Sequence, residues 1–199
     1  MTPQDVLEEF RASGALLEGH FLLSSGRHSR HYLQCARVLM NGRRAARLAE
    51  ALARRLPAEL REAVDKVVSP AMGGLIIGHE MGRALDRDAV FLERGGDGFV
   101  LRRGFTIAPG ERVLLVEDVV TTGLSSREAM AAIAALGGEV VAEAALVDRS
   151  GGNADLGVPL HALLNLDVPS YAPDAVPADL AAIPPVKPGS RAQPSAATP

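Results

Sequence analysis

Two adjacent acids, Glu117 and Asp118, stand between an apolar run, residues 113–116, and a small hydroxyl-rich turn, Thr121-Thr122-Gly123, with Ser125 and Ser126 opening a helical stretch. The apolar run reads as a buried parallel strand, and the acids follow at its carboxyl end. The backbone amides of such a turn, with the positive end of the next helix, form a site for an anion such as a phosphate monoester. Carboxylates one step away are placed to accept hydroxyls of a sugar carrying that phosphate. Strand, acids and turn together spell ribose 5-phosphate. A structural loop after a buried strand can carry the same residue types, so it is the register of acids with turn that favours the chemical reading.

Other segments add possible partners. Residues 69–78, SPAMGGLIIG, repeat the strand–loop–helix layout with paired glycines, Gly73 and Gly74, that let backbone approach an anion. Taken alone, this loop serves tight helix–sheet packing equally well. Val147-Asp148-Arg149 closes another apolar run. A guanidinium there can stack on a flat ring or fork onto a carboxylate, and the plainer reading is a surface Asp–Arg pair. His20, His28 and His31 invite a metal, yet their spacing suits neither one helix face nor one strand face, and solvated loop side chains are expected.

The central segment resembles the phosphoribosyl-diphosphate (PRPP) motif of the type I phosphoribosyltransferases: apolar run, Glu/Asp-Asp, two apolar residues, Thr, small, Gly, small, Ser/Thr. Residues 19–39, GHFLLSSGRHSRHYLQCARVL, are similar to the N-terminal signature of the orotate phosphoribosyltransferase family, with Ser25, Gly26, Arg27, Ser29 and Tyr32 in the matching places. The resemblance spans about residues 6–183. It implies transfer of the phosphoribosyl group of PRPP to orotate, giving orotidine 5′-monophosphate and pyrophosphate, with Mg²⁺ as cofactor held mainly by substrate and water rather than by protein ligands. The implied PRPP-binding residues are Glu117, Asp118, Val119, Val120, Thr121, Thr122, Gly123, Leu124 and Ser125, with the two acids catalytic. Ala71, Met72, Gly73 and Gly74 become the pyrophosphate loop, with a non-proline cis peptide expected at Ala71–Met72. Arg149, Thr121, Ser25 and Gly26 become orotate-binding.

Residues 91–105, FLERGGDGFVLRRGF, match the family's mobile hairpin that closes over PRPP. The family's loop lysines and histidine are absent, and Arg94, Arg102 and Arg103 are the cations left. Ser24 and Gly73 also stand where lysines are common. A purine or uracil phosphoribosyltransferase would share the central motif without the Ser-Gly-Arg segment and Arg149. A PRPP-sensing regulator on the same fold would be expected to show a basic nucleic-acid face.

Composition bounds these readings. A chain of 199 residues has room for one large core, and 47% of it is hydrophobic. The net charge of −3 gives no hint of a nucleic-acid surface. No apolar run approaches the roughly 20 residues of a membrane span, and the start lacks a signal-peptide layout, so no membrane partner and a cytoplasmic location are expected. Cys35 is the single cysteine, which excludes an intramolecular disulfide.

To position these residues the chain is expected to form an α/β fold of the type I phosphoribosyltransferase kind: a central, mostly parallel sheet flanked by helices, with a small N-terminal hood. The expected elements are a helix over residues 3–13 and a small strand pair outside the main sheet. A helix over 43–60, strands at 66–69, 113–116, 139–149 and 160–166, and a helix over 126–136 follow. The domain is drawn at residues 1–183, with the hood at about 14–40, the hairpin at about 92–108 and a disordered Pro/Ser/Ala-rich tail at 184–199. Loops after the parallel strands should meet at one edge, and the family implies a homodimer with shared sites.

Overall fold

In the computed structural model, which describes residues 1–23, 25–96, 98–166 and 168–188, the chain divides into two units. One comprises Met1–Ala15 with Cys35–Asp167, the other Leu16–Gln34 with Val168–Pro199. The expectations for Ser24 and for residues 189–199 of the tail lie outside the described residues.

The larger unit is built on a six-stranded sheet of order β5-β4-β3-β6-β7-β8: β3 (Lys66–Pro70), β4 (Asp88–Gly95), β5 (Gly98–Leu101), β6 (Arg112–Val120), β7 (Glu139–Asp148) and β8 (Leu160–Asn165). All neighbours are parallel except β5, which folds back antiparallel on β4 at the edge. The hairpin of residues 91–105 therefore has its first strand inside the main sheet.

Alternation along the strands decides which helix covers which face. Val113 and Leu115 of β6, with Val68 and Leu92, pack on Ala129 and Ile133 of α6 (Leu124–Ala135). Ser69, pointing the other way from Val68, meets α5 (Leu75–Leu85) at Gly78, where a built Cβ would stand 2.3 Å from the Ser69 hydroxyl. Only glycine allows that approach. On the helix preceding the sheet, α1 (Pro3–Ala12), Thr2 and Asp5 form a reciprocal cap, and Val6 and Phe10 are buried.

Helix 43–60 is a correction. It splits into α3 (Gly42–Arg55) and α4 (Ala58–Ala63), because Leu56 precedes Pro57 and is driven to extended backbone, φ −70° and ψ 137°. The short α2 (Cys35–Leu39) precedes α3. Strand β6 is longer than its apolar run. It continues through both acids because β7 is equally long and pairs Ala145 with Glu117 and Val147 with Val119.

The smaller unit contains the expected strand pair, β1 (Leu16–Leu22) and β2 (His28–Leu33), joined by β9 (Ser170–Tyr171) into a three-stranded sheet, and α7 (Ala178–Ala181). The start of the tail is also corrected. Val186 bonds both ways with β1: its N–H donates to the His20 carbonyl and its carbonyl accepts from Leu22. The solvated histidines are corrected as well. His20 is buried, with Nδ1 2.6 Å from the Ile183 carbonyl and Nε2 2.6 Å from His28 Nδ1.

Candidate active site

The acidic doublet splits between the two faces of the sheet. Glu117 shares the face of Leu115 and accepts a hydrogen bond from Ser125 Oγ of α6 at 3.1 Å. Asp118 projects to the opposite face, where a Cβ built on Gly73 would lie 2.7 Å from its Oδ1. Gly74 sits as close to the strand: its Cβ would meet the Val116 carbonyl at 2.8 Å and Glu117 Oε2 at 3.3 Å. Segments 69–78 and 113–126, about forty residues apart in sequence, thus touch through their glycines and acids. The Ala71–Met72 peptide bond between them is cis.

Burial sets the charge state of this pair. The Glu117 carboxyl is raised to about 8, first by burial and then by the Asp118 charge, with the Ser125 hydrogen bond opposing. Asp118 is raised by burial, against the hydrogen bond its Oδ1 accepts from the Val119 N–H at 3.0 Å. Two desolvated carboxyls side by side favour partners that bring hydrogen-bond donors or positive charge.

Beyond the acids the chain turns at Gly123, whose φ of +72° favours glycine. Space forbids a side chain as well, since a Cβ would meet Leu156 Cδ2 at 2.7 Å. Gly123 is the N-cap of α6 and offers no side-chain cap, and the Leu124 N–H has only a long 3.4 Å contact to Thr122 Oγ1. The first amides of the helix are therefore left for a ligand to satisfy. Residues 119–126 and Arg94 line a cavity of about 240 Å³. Seven of the nine expected residues, Val119 to Ser125, line that volume, while Glu117 and Asp118 precede them on β6 and are not part of its lining.

The arginines are less committed to a site. Arg94 is ion-paired with Glu128 of α6 and stacks over Phe99 at 4.1 Å. Arg103, at φ +61°, pairs with Glu93 at 2.8 Å. Arg102 is exposed, without a side-chain partner among the described residues. Arg149 is half-buried beyond β7, its N–H donating to the Val120 carbonyl at 2.8 Å, and its charge reaches the Cys35 thiol together with that of Asp118. Burial and the Asp118 charge push that thiol well above its ordinary range. Cys35 was not an expected neighbour; nothing in the sequence places α2 beside these two strand ends.

In the smaller unit, Ser25 and Gly26 form the β1–β2 turn, with Gly26 at φ +77° and its N–H bonded to the Leu23 carbonyl. Arg27 is held by Ser170, and Ser29 is fully buried with its hydroxyl on the Pro169 carbonyl. These two build the three-stranded sheet.

One buried acid escaped the sequence reading. Glu143, in the middle of β7, is fully buried and accepts from Ser126 Oγ at 2.8 Å. A lone acid inside the apolar run of residues 140–147 was the available signal.

Among the described residues no helix is long and apolar enough to cross a membrane. A family model for the phosphoribosyl transferase domain matches residues 38–156. A relative from Erythrobacter litoralis, named orotate phosphoribosyltransferase, is 69% identical over 193 residues, covering 97% of this chain and 100% of the relative. Another of that name, from Methylorubrum extorquens, is 55% identical, covering 98% and 99%. The crystal structure of orotate phosphoribosyltransferase from Aeropyrum pernix superposes with a TM-score of 0.67 at 27% identity, covering 81% of this chain and 93% of that one. With its paired acids, uncapped turn and cis-peptide loop on the same fold, and with near full-length identity to these relatives, the chain belongs to the orotate phosphoribosyltransferases of the phosphoribosyltransferase family.

Proposed function

We propose that this chain transfers the 5-phosphoribosyl group of PRPP to N1 of orotate, releasing pyrophosphate and forming orotidine 5′-monophosphate for pyrimidine biosynthesis. The observation that carries the reading is the split doublet beside an uncapped turn, in a chain whose relatives bear that enzyme's name.

The bond from C1 of the ribose to pyrophosphate breaks as the orotate nitrogen attacks from the other face, through an oxocarbenium-like state. No protein nucleophile is needed, so the residues position and stabilise charge. Glu117 and Asp118 accept the ribose hydroxyls, and those bonds favour the ionised carboxylates that burial disfavours. The amides and hydroxyls of residues 119–125 hold the 5-phosphate. The loop of Ala71, Met72, Gly73 and Gly74 brings backbone to the pyrophosphate, and Arg94, Arg102 and Arg103 supply positive charge once Glu128 and Glu93 release two of them. Arg149 answers the orotate carboxylate, with Thr121, Ser25 and Gly26 completing the base contacts.

The desolvated carboxyls of Glu117 and Asp118 fit a Mg²⁺ that arrives on its substrate, since burial makes each of them gain from a cationic neighbour. When bound with PRPP, Mg²⁺ would neutralise charge on the leaving pyrophosphate. A phosphoribosyltransferase domain that takes in Val186, with hood and mobile hairpin, a cytoplasmic location and a homodimer sharing loop cations between sites complete the proposal.

The test is a choice of base. With PRPP and Mg²⁺, the protein should consume orotate and leave uracil, adenine and guanine untouched. Consumption of any of those three in place of orotate would overturn the assignment.

A further inference from the structure

Strand β7 is apolar and buried along residues 144–147, yet Glu143, just before them, is an acid with no exposed surface. In the ladder it lies beside Leu115 of β6 and Leu160 of β8, on the face covered by α6. Its Oε1 accepts the Ser126 hydroxyl at 2.8 Å, and its Oε2 has no hydrogen-bond partner among the described residues. Ser126 is itself buried. The preceding residue makes the parallel bond, Ser125 Oγ to Glu117 Oε1 at 3.1 Å. Two successive serines of the first turn of α6 are thus tied to glutamates on two neighbouring strands.

Such a tie is costly as a packing device, because an apolar pair of similar volume usually serves stability as well or better than a buried acid. Its direction is specific. The bond reaches the turn whose amides follow Gly123, a helix start without a side-chain cap of its own. A shift of Ser126 would carry the amides of Leu124 and Ser125 with it.

We infer that Glu143 is a positioning residue: through Ser126 it fixes the first turn of α6 where the amides must meet the 5-phosphate of PRPP. This rests on the reading of residues 119–125 as the phosphate site. Ser126 bonds this acid in either charge state, and the neutral form is the one that places no charge behind the turn. Burial, and then the Asp148 charge, raise the Glu143 carboxyl to about 7, against the Ser126 bond. The charged neighbours are Glu117 on β6 and Asp148 along β7, whose Oδ1 accepts the Ser150 N–H. On α6 the charged residue next to Ser126 in sequence is Arg127, whose guanidinium donates instead to the Thr122 and Asp155 carbonyls, and β8 sets the apolar Leu160 beside Glu143. Ionised, Glu143 adds a second buried negative charge next to Glu117, behind a turn that must receive an anion.

The experiment measures KM for PRPP and kcat from about pH 6 to pH 9, with calorimetric PRPP binding and melting temperatures in parallel. Glu143→Ala and Ser126→Ala should each raise KM for PRPP roughly fivefold, the weight of one hydrogen bond, with kcat little changed and the double variant no worse than either single. Glu143→Gln keeps an acceptor for Ser126 and cannot ionise. It should match the wild type near pH 6, and its KM should rise less than that of the wild type towards pH 9, Glu117 titrating in both proteins. Glu143→Gln as impaired as Glu143→Ala, or an alkaline rise undiminished in Glu143→Gln, overturns the proposal. So do alanine variants that bind PRPP as tightly as the wild type. Wild-type protein that fails to bind PRPP overturns the phosphate reading itself, and the proposal with it.

Discussion

The end of β6 and the β4–β5 hairpin both carry charge that the proposed function assigns to PRPP, and they hold it in opposite ways. Of the acids of β6, Glu117 is buried and Asp118 half-buried, both on a strand held by β7, and the loop beside them fits so closely that Cβ atoms on Gly73 and Gly74 would come within 2.7 and 2.8 Å of that strand. The arginines of the hairpin lie on β4 and just past the end of β5, about half exposed in the case of Arg94 and Arg103, each of which is already neutralised by a glutamate nearby. Desolvated charge has few alternatives to its intended partner, whereas solvated ion pairs exchange at little cost. The anionic part of the site is thereby preorganised, and the cationic part must be recruited.

The largest effect should come from the rigid side. Asp118→Asn keeps the shape but removes the charge that would stabilise the ribosyl transition state. It should lower kcat/KM by roughly 10–150-fold, the equivalent of about 1.5–3 kcal/mol for a charge-assisted bond, with the melting temperature held or raised. Steady-state kinetics and a melting curve decide it. A normal kcat/KM would reduce the doublet to a strand-end feature and erase the contrast.

A second test uses pH. Glu117 is raised from 4.5 to about 8 in the folded protein, so across that window the native state keeps a proton that the unfolded chain releases. The folded form then binds more protons than the unfolded, and stability falls as pH rises from about 4.5 to 8. Melting temperatures of the ligand-free protein should decline over that range, and Glu117→Gln should flatten the decline. An undiminished slope in Glu117→Gln would assign the pH dependence to other groups and weaken the picture of a strained anionic wall.

The smallest effects belong to the hairpin. Arg94→Ala and Arg103→Ala remove exposed ion pairs and should change stability by no more than about 0.5–1 kcal/mol. Each should raise KM for PRPP more than it alters the melting temperature, and more strongly at low salt. A large loss of stability with unchanged KM would make these arginines structural and reverse the comparison.

The strand, turn and helix of residues 113–126 were legible because they are contiguous, and each residue type has a local reason for its place. The break at Pro57 was legible too, from the residue before proline, but the Ala-, Leu- and Arg-rich pattern on both sides masked it. The His20–His28 bond was not legible: it depends on the β1–β2 pairing that sets Leu22 opposite His28, and on Val186 returning to β1. Likewise β9 is two residues long, too short to leave a periodic pattern.

Sequence alone therefore determined the parallel α/β class, the acidic doublet and the anion-binding turn, since periodicity and turn chemistry act over neighbouring residues. Only tertiary structure decided that Glu117 and Asp118 face opposite sides of the sheet towards α6 and the 71–74 loop. It also decided that Cys35 lies within reach of Asp118 and Arg149, and that Glu143 stands behind Ser126. Those facts depend on strand register and on which helix covers which face, and burial then converts each position into a charge state.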